Sequence, residues 1–336
     1  MNKAGFNKKE TLRKIAIILL IVLFFSSCLL VVFCWEKGIW PFSGKDNANE
    51  FVNTGSSLSY QGQDYIPRYN VETFLVMGLD KFEMPTETTN YYNDQQADFL
   101  TLFVFDHEAK TYSAIHIDRD TMVEMDVLGV TGEKTATVTQ QIALSHTYGN
   151  GLQVSCENTR KCVSNLLFDT KVDHYLSVTM EAVSILNDMV GGVEVEVLDD
   201  FTGIDDTLVK GETVTLKGEQ ALRYVRTRYG MDDSTNRTRM LRQQQYMAKL
   251  FEKTSACVKN DDTFIFNVAQ ETGEYLVTDQ PIDQLQRMFE QMSSYTFTEI
   301  RAMDGSYFDD NRFIEFYPDE DSIKKIIVDL FYKPNE

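Results

Sequence analysis

The sequence predicts an α/β fold with a central mixed β-sheet, preceded by one N-terminal transmembrane helix. Three observations predict it. An uncharged run of 21 residues lies between Lys14 and Glu36. Beyond it, short runs rich in β-branched and aromatic residues interleave with stretches of helical period. Two of those runs are joined by the turn Asp106-His107-Glu108, which makes them a hairpin within a sheet otherwise linked by helices.

The elements follow in chain order. Residues 1–14 hold five basic residues against one acid, a local charge of +4. The apolar run Ile15–Trp35 has the roughly 20 residues that a helix needs to cross a bilayer core. With Glu36 set aside, residues 37–336 carry 27 basic and 49 acidic residues. The positive-inside rule therefore puts the N-terminus in the cytoplasm and the acidic bulk outside, with Trp35 and Trp40 at an interface. A cleaved signal peptide would have a shorter apolar region and a small-residue site. Ser26-Ser27-Cys28 is a poor lipoprotein site, because Phe25 precedes it and apolar sequence continues after it. An uncleaved anchor is the expectation.

Residues 36–69 read as an extracellular tether or an irregular lead into the domain. Val71–Gly78 reads as a buried strand, Phe99–Phe105 as a second and Thr111–Ile117 as a third. Helix-like stretches cover Val138–His146 and Ser155–Leu167. A strand near His174–Val178 leads into a helix at Glu181–Met189, ended by Gly191-Gly192. Val193–Leu198 alternates like a half-exposed strand, and Glu219–Arg226 and Arg239–Thr254 read as helices. A helix at Ile282–Met292, a strand at Arg312–Tyr317 and a final helix at Glu320–Phe331 complete the chain. The organisation is thus a tail at 1–14, a membrane helix at 15–35, a tether at 36–69 and one domain at 70–336.

Composition narrows the function. Apolar residues make up 43% and charged residues 25%, which excludes wholesale disorder. A net charge of −19 excludes a sequence-independent nucleic-acid coat. No G-x-G-x-x-G follows the first strand, and there is no P-loop and no G-x-S-x-G elbow. His107, His116, His146 and His174 have no metal-ligand spacing and read as core or surface histidines. No C-x-x-C occurs, and Cys156, Cys162 and Cys257 read as free thiols.

Three local clusters remain. Gly78-Leu79-Asp80 ends the first strand and Ala97-Asp98 opens the second. Their carboxylates suit a hard cation such as Mg²⁺, or simple loop capping. In Ile117-Asp118-Arg119-Asp120-Thr121, Arg119 is either a structural ion pair or a fork for a phosphate. The third cluster is LRYVRTRYGMDDSTNRTRMLRQQQ at Leu222–Gln245, where Arg223, Arg226, Arg228, Arg237, Arg239 and Arg242 occur without a lysine. Arg239 and Gln243 share one helix face, whereas Arg242 lies off it and reads as structural. An oxyanion site and a network of acid–arginine bridges are both open readings.

The blocks FLVMGLD, ADFLTLFVF, IHIDRDTMV, SHTYGNG, LKGEQALRYVRTR and NRTRMLRQQQ, in this order and with the anchor before them, resemble the LytR-CpsA-Psr family over a motif core of 70–255. The resemblance implies an α-β-α sandwich and a membrane-anchored cell-envelope phosphotransferase of a Gram-positive-type bacterium. Its members move a glycopolymer, such as wall teichoic acid or capsular polysaccharide, from a polyprenyl-pyrophosphate carrier to peptidoglycan. By the same resemblance Asp80 and Asp98 hold Mg²⁺, and Arg119, Arg226, Arg228, Arg239 and Gln243 contact the pyrophosphate. Asp80, Asp98 and Arg119 are then the catalytic residues. The bilayer, lipid-linked polymer and peptidoglycan are the implied partners, without nucleic acid. Four positions depart from the family pattern. Asp118 stands for a proline, Gln141 for a lysine, Ala143 for an asparagine, and Asn236 for an acid that is a candidate base, with Asp232 and Asp233 nearby. The alternatives are a scaffold or regulator that binds lipid-linked polymers without turnover, and a pyrophosphate hydrolase with water as acceptor.

Overall fold

A computed structural model describes residues 52–53, 58–227, 236–309 and 313–335. The expected membrane helix at 15–35 lies outside these residues. Among the described residues no helix is long and apolar enough to cross a membrane.

A six-stranded mixed sheet organises the domain. Its strands are β1 (Val71–Leu79), β2 (Ala97–Asp106), β3 (Thr111–Ile117), β4 (His174–Thr179), β5 (Leu276–Thr278) and β6 (Thr296–Ala302), in spatial order β5-β4-β1-β2-β3-β6. β1–β2 and β2–β3 pair antiparallel, while β1–β4 and β3–β6 pair parallel. The helices are α1 (Gln153–Leu166), α2 (Met180–Met189), α3 (Glu219–Arg226), α4 (Asn236–Asn260), α5 (Phe264–Thr272), α6 (Ile282–Ser293) and α7 (Glu320–Phe331).

Period-two alternation sorts the strand side chains onto two faces. Leu75, Met77 and Leu79 of β1, with Leu100 and Leu102 of β2, bury against Cys156, Cys162 and Val163 of α1 and Ile323, Ile326 and Ile327 of α7. Phe74, Phe103, Phe105 and Tyr112 point to the other face and meet Leu285, Met288 and Met292 of α6, with Phe251 of α4 against them. Helices thus cover both faces, as the sandwich expectation required. A further core joins α3, α4 and α5 to the hairpin Val193–Glu196/Thr213–Leu216. Gly191 and Gly192 end α2 at φ of 80° and 85°. A Cβ at Gly192 would meet the Leu216 carbonyl oxygen at 2.7 Å, so the hairpin packs where only glycine fits.

The expected strands at Val71–Gly78, Phe99–Phe105 and Thr111–Ile117 are present, as is the helix at Glu320–Phe331. Two stretches differ. Val138–His146 is not a helix: Lys134–Gln141 is a strand paired with Met122–Leu128, followed by a 3-10 helix at Ile142–Thr147. Val138 and Ile142 are four apart and imitate helical period, but the run Thr135-Ala136-Thr137-Val138-Thr139 is dominated by β-branched residues, which suit a pleated surface. The stretch 36–69, read as irregular, contains strands Leu58–Tyr60 and Gln63–Pro67, and the latter pairs with Tyr332–Pro334. Cys156 and Cys162 are buried and unbridged.

Candidate active site

A cavity of about 910 Å³ runs between the second sheet face and helices α2 to α6. Phe74, Phe103, Leu176, Val178, Met247 and Phe289 are among its apolar walls. Asp80, Asp98, Arg119, Arg226, Arg239 and Gln243 line it as well. Asp80 follows the end of β1 and Asp98 stands at the start of β2, so the charged groups gather at one end of the two central strands, by the carboxyl end of β1, where α/β folds place their sites.

A bulge sets the two acids. Gly78 pairs with Phe99 but Leu79 pairs with Ala97, leaving Asp98 as the extra residue. Bulges re-aim side chains, and here the consecutive residues Asp98 and Phe99 both line the cavity. The amides of Asp80 and Asp98 both donate to the Gln96 carbonyl, at 3.1 and 3.2 Å. A Cβ on Gly78 would meet the Phe99 Cβ at 2.9 Å, so the two strands approach through the absent side chain.

Each acid faces an arginine. Arg119 donates from Nη1 to Asp98 Oδ1 at 2.5 Å and from Nη2 to the Gln96 side-chain oxygen at 3.0 Å. Its Nε lies 3.4 Å from Asp120 Oδ1. Arg239 Nη1 approaches Asp98 Oδ2 at 3.9 Å. Arg226, the last residue of α3, reaches Asp80 Oδ1 at 2.6 Å and lies 5.0 Å from the ring centroid of Phe82. Three guanidinium groups thus face the carboxylates of Asp80 and Asp98 at the cavity, with Asp120 behind Arg119, and forked donors in that number suit an oxyanion. His116 adds no charge. Burial, and then the charge of Arg239, pull its pKa down to about 3, so it stays neutral beside the site.

The arginine-rich stretch divides between both of its readings. Arg223, Arg226 and Arg239 all line the cavity, but Arg223 pairs with Asp205 at 2.9 Å, away from the two acids of the site. Arg242 is fully buried 2.8 Å from Asp199 and donates to the carbonyls of Tyr224 and Thr227. Those bonds anchor the end of α3 and so aim Arg226. Gln243 lines the cavity while its amide donates to the Val225 carbonyl at 3.2 Å, a hold on the same helix. Arg228, Asp232 and Asp233 lie outside the described residues, as does the side chain of Asn236.

Sequence reasoning missed Gln96, Phe82 and Tyr307. Gln96 was readable, since it directly precedes Ala97-Asp98. Tyr307 was not, because its contact with Asp118 spans 189 positions. Two family departures have partners of their own: Gln141 donates to Asp120 Oδ1 at 2.8 Å and to the Ile314 carbonyl at 2.7 Å, and the Ala143 amide donates to the Arg119 carbonyl at 3.1 Å.

Among the described residues no three His, Cys, Asp or Glu side chains converge on a cation position. Two carboxylates nonetheless fit Mg²⁺, which commonly takes one or two carboxylates and completes its shell with water and substrate phosphate oxygens. Asp80 and Asp98 have that donor chemistry.

The model of the LytR_cpsA_psr family matches residues 47–327. Biofilm regulatory protein A of Streptococcus mutans is 27% identical over 248 residues, covering 71% of this chain, which spans 57% of that relative's length. The polyisoprenyl-teichoic acid–peptidoglycan teichoic acid transferase TagV of Bacillus subtilis is 24% identical over 319 residues, covering 91% of this chain and 76% of TagV. The crystal structure of B. subtilis TagV superposes with a TM-score of 0.60 at 24% identity, over 78% of this chain and 96% of that one. That likeness bears out the mixed α/β sandwich.

Proposed function

The chain belongs to the LytR-CpsA-Psr family, and on that premise we propose that it is a membrane-anchored phosphotransferase which moves a wall glycopolymer from a polyprenyl-pyrophosphate carrier to peptidoglycan. One observation carries the reading. The arginine–carboxylate cluster borders an apolar cavity of about 910 Å³, a pairing that suits a pyrophosphate joined to a hydrocarbon chain. The name of the TagV relative, a teichoic acid transferase, supports it.

The chain's own residues have distinct tasks. Arg119, Arg226 and Arg239 bind the pyrophosphate, with Arg228 from the adjoining R-x-R. Their forked donors suit phosphate oxygens. On binding, the guanidinium groups that face Asp98 and Asp80 exchange carboxylate for phosphate partners. Asp80 and Asp98 would hold Mg²⁺, which when bound would supply Lewis-acid stabilisation of phosphate charge. Phosphoryl transfer depends mainly on positioning and electrostatics, and both are built here on strand ends and a helix terminus. The aromatic wall excludes water from the lipid side, so a glycan hydroxyl attacks from the open side. Anchoring at 15–35 keeps the domain within reach of a carrier that stays in the bilayer.

The test uses the full-length chain in vesicles with lipid-linked polymer, peptidoglycan acceptor and Mg²⁺. Polymer should appear on the glycan with release of polyprenyl phosphate, and chelation should stop it. Released polymer that never joins glycan would identify a hydrolase. Stoichiometric binding without release would identify a scaffold.

A further inference from the structure

The Arg119 loop is held from outside the sheet by the hairpin Gly305–Asp309/Ile314–Pro318. The Tyr307 hydroxyl donates to Asp118 Oδ2 at 2.5 Å. The other carboxylate oxygen of Asp118 accepts the Asp120 amide at 2.9 Å. Further along, the Phe316 amide donates to the Asp120 carbonyl at 2.8 Å, and Gln141 links Asp120 to the Ile314 carbonyl. Asp118 is 4% exposed and Asp120 1%, so these groups depend on protein partners for their hydrogen bonds.

We propose that Tyr307 is a positioning residue for Arg119, acting through Asp118, and that this hydrogen bond does the fixing that a proline ring at position 118 would do. A proline fixes φ through its ring. An aspartate leaves φ free and needs a lock. Here the lock is two-sided: one carboxylate oxygen caps the turn at Asp120, and the other is clamped by Tyr307. The turn is closed by the Thr121 amide and hydroxyl on the Asp118 carbonyl, at 3.0 and 2.6 Å. Arg119 sits between these fixed points and presents its guanidinium to Asp98 and Gln96. Tyr307 stays a donor, since burial and then the Asp118 charge raise its pKa, against a smaller pull from Arg237. Its ring packs 4.7 Å from that of Phe316, so removing the hydroxyl alone leaves the hairpin packing in place.

The inference rests on the phosphotransferase reading for its activity arm, and on hydrogen exchange for an arm independent of it. Full-length wild type, Arg119→Ala, Tyr307→Phe, Asp118→Pro and the double variant Tyr307→Phe/Asp118→Pro are compared in the vesicle assay. Tyr307→Phe should lower kcat on the order of tenfold with KM changed less than about twofold, the pattern of a group that acts on the transition state. In the Asp118→Pro background the same change should do nothing, because the two sites form one coupled unit. Exchange of the Thr121, Ile142 and Ala143 amides, whose acceptors lie on this loop, should quicken in Tyr307→Phe and be insensitive to that change in the Asp118→Pro background. Equal losses in both backgrounds, unchanged exchange in Tyr307→Phe, or an inactive Asp118→Pro chain would overturn the inference. If wild type itself transfers nothing, the proposed function fails and the exchange result decides this inference alone.

Discussion

Arg242→Met isolates the residue that holds the end of α3. Arg242 has no exposed surface and lies among the rings of Phe201 and Tyr224, at 5.3 and 5.8 Å from their centroids. Methionine keeps most of the aliphatic volume, so the change removes charge and donors. Breaking a buried ion pair from one side costs about 3–5 kcal/mol. The low end applies here. Arg242 Nε and Asp199 Oδ2 are 2.8 Å apart but misaligned for a hydrogen bond, and the Asp199 side chain keeps 19% of its surface in water. The carbonyls of Tyr224 and Thr227 lose their donor, adding about 1 kcal/mol in total, given that one of them can rehydrate. The sum is roughly 4 kcal/mol, which in a domain of this size lowers Tm by about 8–16 °C. Thermal unfolding followed by circular dichroism measures it. Asp199→Leu added to Arg242→Met should restore part of the loss, because the stranded carboxylate is then gone. A single variant that melts within about 3 °C of wild type would refute the assignment of Arg242 as the anchor of α3.

Four further outcomes are expected. Arg226→Ala should cut transfer by about 10²–10³-fold, as loss of a preorganised charge donor does, while Tm moves little because its pair with Asp80 is half in water; normal kcat/KM would remove Arg226 from the mechanism. Burial holds His116 near a pKa of about 3 and His146 near about 4, both below the value of the unfolded chain. The unfolded state therefore binds more protons below pH ~6.5, so stability falls as pH drops from about 6.5 towards 4, by up to ~1.4 kcal/mol per unit for each histidine; denaturant titrations of His146→Gln should show a shallower slope, and an unchanged slope would exclude His146 as a source. Burial pushes the thiols of Cys156 and Cys162 up to about 12, so mass spectrometry should find both unalkylated in the native protein and modified in guanidinium chloride. Gly78→Ala should destabilise by about 1–3 kcal/mol through its clash with Phe99 and weaken transfer through the acids it spaces; a neutral result in both would mean the bulge relaxes freely.

The central strands were legible because their apolar runs are long and bounded by turns, and β1, β2 and β3 occur where β-branched and aromatic residues concentrate. Asp80, Asp98, Arg119, Arg226 and Arg239 were legible through local pattern, since each sits beside an element end. Their pairing was not, because Asp80 and Arg226 meet across 146 positions. Pairing of Lys134–Gln141 depends on its partner strand, so local period pointed to helix instead. α5 lay in a stretch whose role the sequence left open; Ile265, Val268 and Ala269 from it line the cavity, with α6 beside it. That wall belongs to a surface no motif marks, because any apolar residues of fitting size can form it.

β2 is also a ruler. Asp98, Phe99, Phe103 and Phe105 all line the cavity from one strand. From Asp98 to Phe105 is seven steps, roughly 23 Å at the rise of a strand. Inserting one residue within that stretch would turn the aromatic wall towards α1 and α7. For an apolar ligand lying along β2, the gripped length can therefore change only in steps of two residues, about 7 Å. A change in the length of ligand held there would then fall on α5 and α6, which border the same space and are free of the pleat.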